Sequence, residues 1–335
     1  MCVKDFLRHR QVWLGIALIW VMLFHCPLDF GPFSYLTAIG YGGVDICLFA
    51  SGIGCYYSLS SDPDIMRFMK RRIKRLAPTY LIFILLWLVL QCIIGNFNFQ
   101  MAVGNILALQ NFTGHDHAFN WYISAIFLLY LLAPYFKSIA EQATPVRKIL
   151  FLIFLLICSI PFWKADTYII TVTRLPIFYI GMIFADHCRK NYRIGKKEAV
   201  ILAIAFIAGV AILLSSYFFA TPYLWSYGLY WYPFILITPP LCLGISYISM
   251  LLEKAKFTKP IVRVLSVCGN YSFEIYLVHI PLFSILSALI KRFDLSNFAY
   301  FIWVGAIALV AIGCYVLKYL TALLTRLFFP AKQTL

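Results

Sequence analysis

Apolar residues run in stretches of about 17 to 28 positions along the whole chain, and the short segments between them hold most of the polar residues. A helix needs about 20 apolar residues to cross the hydrocarbon core of a bilayer, so each stretch predicts one crossing. The pattern therefore predicts an all-α polytopic membrane helix bundle of about ten transmembrane helices, forming a single membrane domain over residues 1–335. The predicted spans are residues 11–28, 37–57, 77–95, 119–137, 147–163, 168–186, 198–218, 230–251, 271–291 and 298–325.

Positive charge is unevenly distributed between the two sides of these spans. With the N-terminus in the cytoplasm, nearly all of the 28 Lys and Arg residues lie on cytoplasmic segments. The exceptions are Lys164, Lys291 and Arg292 outside, and Arg174 and Lys318 within spans. Cytoplasmic loops of membrane proteins are rich in Lys and Arg, so this bias predicts that both termini are cytoplasmic. The net charge of +15 then reflects orientation in the lipid bilayer and does not indicate a nucleic-acid partner.

Composition agrees with a membrane protein, because 63% of the residues are hydrophobic and only 12% are charged. No polar segment is long enough to fold as a separate domain. No internal repeat is visible, which argues against transporters built from two related halves. A compact chain of this kind suggests a bacterial inner (plasma) membrane.

Three ionisable residues fall within the outer halves of predicted spans, where a charge is costly and needs a reason. Counting about 1.5 Å of rise per helical residue puts His25, Asp45 and Arg174 at one depth. A base, an acid and a cation at one depth are what a catalytic site requires, and Asp45 is expected to orient His25. The alternative is a charge-neutralising network that only fixes helix packing.

A basic cluster, "RFMKRRIKRLAP" at residues 67–78, precedes the third span, and Pro78 suits the first turn of a new helix. Lys and Arg in such a place serve topology and contact anionic headgroups. Topology does not explain why Arg72 and Arg75 are spaced i,i+3, which puts two guanidinium forks on one helix face. Together with Arg71 they predict a phosphate-binding site.

The segment "CGNYSFEIYLVHIP", residues 268–281, opens the ninth span. Ser272 and Glu274 near a helix start suit a capping role. Tyr276 and His279 lie deeper and are expected to line the inner half of any passage. The "HDH" at residues 115–117 lacks a third ligand in the sequence, so no metal site is predicted.

The chain resembles the acyltransferase-3 family of integral membrane O-acyltransferases. The segments that carry the resemblance are "LGIALIWVMLFH", "GGVDICLFASG", "FMKRRIKRLAP", "NWYISAIFLLYLLAP", "RLPIFYIGMIFA" and "GNYSFEIYLVHIP". The resemblance implies transfer of an acyl group, usually acetyl, from cytoplasmic acetyl-CoA to a hydroxyl of a sugar, glycan or lipid-linked glycan. It also implies that His25 is the catalytic histidine and that Arg72 and Arg75 are the RxxR pair of the donor site. Leu14 and Ile126 depart from the family pattern, since they stand where many members have a basic residue and a carboxylate.

These observations suggest a mechanism in which acyl-CoA binds with its phosphates on residues 67–75 and its arm passing Tyr276 and His279. His25 would act as general base on the acceptor hydroxyl, or would carry the acetyl group itself. Arg174 or the Trp121 N–H would stabilise the oxyanion, and Trp121 and Glu274 are the predicted substrate-binding residues.

Two other classes of protein explain the same residues. A transporter or glycolipid flippase would use the intramembrane charges for proton coupling, and would tolerate Lys in place of Arg72 and Arg75. A structural partner in a glycan assembly complex would need no reactive His25.

Overall fold

The computed structural model describes residues 3–112, 119–162, 166–190, 193–219 and 230–328. It confirms the all-α polytopic bundle: within these residues, nine helical segments are long and apolar enough to cross a membrane, and the shorter apolar helix Arg10–His25 adds a tenth segment. The helices are α1 (Val3–Arg8), α2 (Arg10–His25), α3 (Ser34–Ala38), α4 (Gly43–Ser61), α5 (Ile65–Ile93), α6 (Phe99–Ile106), α7 (Trp121–Gln142), α8 (Pro145–Ile157), α9 (Asp166–Val172), α10 (Leu175–Arg189), α11 (Lys196–Phe219), α12 (Pro233–Lys254), α13 (Lys259–Asn270), α14 (Ser272–Arg292) and α15 (Ala299–Phe328).

Helix α5 differs from the prediction, because it begins before the basic cluster and not at Pro78. The Asp64 carboxylate accepts a hydrogen bond from the backbone N–H of Arg67 at 2.9 Å and caps the helix start. Pro78 then lies inside one continuous helix of 29 residues. The expectation that a new helix starts at Pro78 is therefore wrong. The capped start of the helix lies earlier in the chain, at Asp64, and the cationic residues that follow it are good helix formers and continue the helix. As a result the basic cluster is held rigidly on α5.

Helix α4 lies at the centre of the bundle and α2 packs beside it. In the segment Gly31–Ser61, 72% of the most apolar 18-residue window is buried, against 11% for the segment that contains α8. Backbones approach closely where α4 meets α10: a Cβ at Gly52 would lie 2.2 Å from the carbonyl oxygen of Phe178. A Cβ at Gly43 would lie 2.3 Å from the carbonyl oxygen of Ala17 on α2. The glycines at these positions therefore permit close helix approach.

One end of the bundle, termed here the basic end, carries Arg10 at the start of α2 and the residues 67–75 of α5. The opposite, distal end carries His25, the last residue of α2. Helices α9 and α10 are separated at the turn Thr173–Arg174, where the sequence predicted one uninterrupted span. This break places Arg174 at the start of α10, among buried residues.

Candidate functional site

An elongated cavity runs into the bundle from the basic end. It has about 770 Å³ of empty space, which includes the open solvent at its mouth. Cationic side chains lie at the basic end of the cavity and mainly apolar side chains line the rest. Its lining includes Arg10, Leu14, Leu18, Val21, Val44, Cys47, Ser51, Arg72, Arg75, Leu76, Tyr122, Ile126, Tyr130, Ser272, Phe273 and Tyr276.

Three arginines from two helices meet in this cavity, and we term them the arginine cluster: Arg10, Arg72 and Arg75. None of them forms a salt bridge within the part of the chain that the structure describes. The Nε atoms of Arg10 and Arg72 are buried and have no hydrogen-bond partner among the described residues. Three guanidinium groups that face one cavity, with no carboxylate within salt-bridge distance among the described residues, form a site suited to a phosphate or diphosphate.

Arg72 is fixed in place by its surroundings. Its Nη2 donates to the carbonyl oxygen of Gly54 at 2.8 Å, and its guanidinium carbon lies 5.1 Å from the ring centroid of Phe68 and 5.5 Å from that of Tyr130. The missing side chain of Gly54 also leaves room for Arg10, whose Nη2 would lie 3.2 Å from a Cβ there. The cation–π contacts hold the charge without neutralising it, so it stays available to an anion.

Arg71 is directed away from the cavity, contrary to its expected place beside Arg72. Its Nη1 donates to Asp62 at 2.6 Å, and the side chain is 43% exposed. This hydrogen bond lowers the pKa of the Asp62 carboxyl, and the Arg67 backbone and side chain lower that of Asp64 in the same loop. One residue along a helix turns the side chain by about 100°, which separates Arg71 from the face shared by Arg72 and Arg75.

Tyr276 lines the cavity and ties α14 to the start of α7. Its hydroxyl donates to the carbonyl oxygen of Phe119 at 2.8 Å and accepts from the backbone N–H of Tyr122 at 3.2 Å. The rings of Tyr276 and Tyr122 have centroids 5.1 Å apart. The first turn of α7 is thereby held against the cavity wall.

His279 follows Tyr276 by one turn of α14, with the two ring centroids 6.3 Å apart. Its ring centroid is 5.3 Å from that of His25 on α2. Sequence reasoning expected His279 in the inner half, but this contact puts it at the level of His25, near the distal end. Counting rise along separate helices assumes that they stand upright and start level, and the ring contact does not depend on that assumption.

Asp45 and Arg174 form a buried ion pair. Arg174 Nη1 donates to Asp45 Oδ2 at 2.5 Å, and both side chains are 1% exposed. The Arg174 guanidinium also lies 5.1 Å from the ring centroid of Trp231. The expected hydrogen bond from His25 to Asp45 is not among those of the described residues, and Arg174 is the partner of Asp45 instead. A buried carboxylate needs a compensating charge, and Arg174 provides it.

The turn that follows His25 is built by Asp29. Its Oδ1 accepts from the Ser34 hydroxyl at 2.7 Å and from the Gly31 backbone N–H at 2.9 Å. Gly31 has φ +57, which a residue without Cβ adopts at no steric cost. The two hydrogen bonds lower the pKa of the Asp29 carboxyl. This turn fixes the chain immediately beyond the exposed His25.

The two predicted substrate-binding residues lie at different places. Trp121 is the first residue of α7. Its ring lies edge-to-face against that of Tyr122, with the ring centroids 6.1 Å apart. Glu274 is buried in the first turn of α14, where the charges of Lys318 and Arg75 act on it. Neither residue lines the cavity itself, but Glu274 follows Phe273 and Trp121 precedes Tyr122, which both do.

No group of three or more His, Cys, Asp and Glu residues that could hold a metal ion occurs among the described residues. The predicted absence of a metal at residues 115–117 concerns a segment that lies outside the described residues.

Sequence reasoning missed Arg10 as a member of the arginine cluster. The signal was its position directly before the first predicted span, because that position and the basic cluster of α5 were predicted on the same side of the membrane. Leu14 and Ile126, the two departures from the family pattern, both line the cavity. This chain therefore has an apolar cavity wall at two positions where many members of the family that it resembles have a basic residue and a carboxylate.

A polytopic helix bundle whose arginine-lined cavity leads toward a histidine has the architecture of a membrane protein suited to an anionic substrate. A family model described as an acyltransferase domain, that of the acyltransferase-3 family, matches residues 15–319. The chain belongs to this family and is a multi-pass membrane acyltransferase, which takes an acyl group from a donor to an acceptor. No curated protein and no solved structure matches the chain.

Proposed function

We propose that the protein transfers an acetyl group from cytoplasmic acetyl-CoA to a hydroxyl of a cell-surface or lipid-linked glycan. The observation that carries this proposal is the cavity, whose lining includes both the arginine cluster and Tyr276, one turn of α14 before His279 and its contact with His25. Coenzyme A has the matching chemistry, with several phosphates at one end of a flexible arm and the thioester at the other.

The spacing supports this assignment. From Arg10 to His25, α2 has 16 residues, or about 22 Å of rise. A donor whose diphosphate contacts the arginine cluster then has its thioester directed along the apolar wall toward His25. Glu274, close to Arg75, is proposed to orient that arginine at the donor end.

In the proposed reaction, His25 takes the proton of the acceptor hydroxyl as its oxygen attacks the thioester carbonyl. The new C–O bond forms, the C–S bond breaks, and the proton passes to the leaving thiolate to give free coenzyme A. The N–H of Trp121 is proposed to donate to the oxyanion. Arg174 and Asp45 neutralise each other, so their proposed role is to hold α4 and α10 in place at the distal end.

The proposed orientation places the basic end and both termini in the cytoplasm of a bacterial inner-membrane protein, with His25 toward the other side. The excess of Lys and Arg on the basic segments supports this orientation. It lets a cytoplasmic donor and an external acceptor meet within one membrane domain.

Purified protein in nanodiscs with radiolabelled acetyl-CoA tests the proposal by donor binding and by release of coenzyme A in the presence of a glycolipid extract. The variant Arg72→Lys/Arg75→Lys removes the two forks but keeps the charges, and is expected to weaken donor binding by about tenfold or more. Arg71→Lys is the matched control, because Arg71 pairs with Asp62 outside the cavity.

His25→Ala is expected to abolish release of coenzyme A while leaving donor binding intact. His187→Ala is its control, since His187 is exposed near the end of α10, on the basic side. A folded wild-type protein that does not bind acetyl-CoA contradicts the proposed donor. Equal donor binding by the double lysine variant would remove the two guanidinium forks from the donor site.

A further inference from the structure

His279 has its tautomer fixed by a hydrogen bond within α14. Its Nδ1 lies 2.7 Å from the carbonyl oxygen of Ile275, one turn earlier. A carbonyl oxygen can only accept, so Nδ1 carries the proton and donates it. In the neutral ring, Nε2 is then an acceptor without a proton.

The Nε2 atom of His279 is buried and has no hydrogen-bond partner among the residues that the structure describes. The whole residue is 0% exposed. A buried acceptor without a partner is unfavourable and rare in folded proteins, and such a group calls for an explanation. Because Nδ1 faces the backbone of its own helix, Nε2 lies on the ring edge directed away from α14.

His25 is the neighbouring group that can supply the missing donor. Two imidazole rings joined in line by an N–H···N hydrogen bond have their centroids about 5 Å apart, since each nitrogen lies roughly 1 Å from its centroid and the bond spans about 3 Å. The observed separation is 5.3 Å, with the ring planes inclined at 51°. His25 is exposed at the end of α2, so its ring can rotate into line.

We propose that His279 is a positioning residue whose Nε2 accepts a hydrogen bond from one ring N–H of His25 and so presents the other His25 nitrogen, free of its proton, to the acceptor hydroxyl. This is the orienting role that the sequence suggested for Asp45. The inference rests on the proposed function for its effect on turnover.

In the reaction, the acceptor proton moves to the free nitrogen of His25. The other His25 nitrogen keeps its own proton and continues to donate it in a hydrogen bond to His279 Nε2. His25 becomes an imidazolium, and the same proton then passes to the thiolate as the C–S bond breaks. His279 stays neutral throughout and neither gains nor loses a proton. Its contribution is to hold one tautomer and one ring orientation of His25.

The first test measures the contact without any turnover. Diethyl pyrocarbonate attacks unprotonated imidazole nitrogen, and mass spectrometry of peptides gives the rate at His25, with His187 as the internal reference. We expect the His25 rate to fall by about three- to tenfold in His279→Leu, which removes the acceptor. In His279→Gln, whose side-chain oxygen can accept the same N–H, we expect most of the rate to be restored. An equal or faster rate in His279→Leu overturns the inference.

The second test separates the positioning role from the donor-lining role that the sequence suggested. In His279→Leu we expect kcat to fall by about tenfold or more, with partial rescue in His279→Gln and with the KM for acetyl-CoA within about twofold of wild type. A raised KM with an unchanged kcat would assign His279 to the donor path and overturn the inference. If wild-type protein shows no turnover, the proposed function fails, and the labelling experiment still decides whether the two rings interact.

Discussion

At the scale of single residues, the charges of this protein divide into groups that are neutralised and groups that are not. Asp45 and Arg174 neutralise each other in the interior, and Arg71 is neutralised by Asp62 outside the cavity. Arg10 and Arg72 form no salt bridge with a carboxylate of the described residues, and their Nε atoms have no hydrogen-bond partner there. In a structural ion pair each charge is neutralised by its partner, whereas the charge of a binding site is left without a protein partner and can pair with a ligand.

Arg10 offers the residue-scale test of the arginine cluster. We expect Arg10→Gln to raise the KM for acetyl-CoA by about tenfold or more, because a charged hydrogen bond to phosphate is lost. Arg8→Gln is the matched control, since Arg8 is exposed and pairs with Glu253. Steady-state kinetics on the two variants decide the point, and equal KM values would remove Arg10 from the donor site.

The ion pair between Asp45 and Arg174 predicts an effect on stability. Asp45→Asn leaves Arg174 charged and buried without its counter-charge, so we expect a loss of about 3–5 kcal/mol and a lower Tm in detergent. Replacing both residues, in Asp45→Asn/Arg174→Met, should recover most of that loss because no unpaired charge remains. A double variant as unstable as Asp45→Asn would contradict a mainly structural role for the pair.

At the scale of elements, close contacts between helix backbones at glycine residues set the geometry of the site. Gly52 on α4 faces the backbone of α10, and Gly181 on α10 faces the carbonyl oxygen of Phe49. This contact holds α4, which provides Val44, Cys47 and Ser51 to the cavity wall. The glycines of these helices therefore allow the two backbones to lie close together, and the shape of the cavity depends on that short separation.

The glycine contact gives a matched pair of variants. A Cβ at Gly52 would lie 2.2 Å from the carbonyl oxygen of Phe178, so Gly52→Ala forces the helices apart, at a cost of about 1–3 kcal/mol. Gly244 on α12 has nothing within 4 Å of its Cβ position, so Gly244→Ala should be neutral or slightly stabilising. Thermal unfolding in detergent compares them, and an unchanged Tm in Gly52→Ala would show that α4 and α10 can separate freely.

At the scale of the whole molecule, the cavity extends from the basic end toward the distal end of the bundle. The arginine cluster lies at the basic end and the two histidines lie toward the distal end. Between them the wall is mostly apolar, with Leu14 and Ile126 among its residues. An apolar passage between a fixed anion site and a histidine favours a long donor molecule held by one charged end.

Orientation is tested on the complete chain. A fluorescent protein that matures only in the cytoplasm, fused after Leu335, is expected to fluoresce, because the ten predicted spans return the C-terminus to the side of the N-terminus. The same reporter fused after Phe293, where α14 has ended and α15 has not begun, is expected to stay dark. A dark full-length fusion beside a fluorescent truncated one would reverse the orientation of the bundle.

Hydropathy and motif order were enough to predict the all-α bundle, about ten spans and the family, and the structure and the family model confirm these three. Such features are local, because each span is a continuous run whose length alone must match the bilayer. The placement of Arg72 and Arg75 on one cavity also follows from local spacing, since an i,i+3 pair shares one helix face.

Only the tertiary structure decided which side chains meet across helices. It paired Asp45 with Arg174, set His279 against His25, added Arg10 to the arginine cluster and turned Arg71 away from it. A sequence fixes how far along its own helix each residue lies. Contact also depends on how each helix is tilted and rotated against its neighbours, and that is set by packing over the whole bundle.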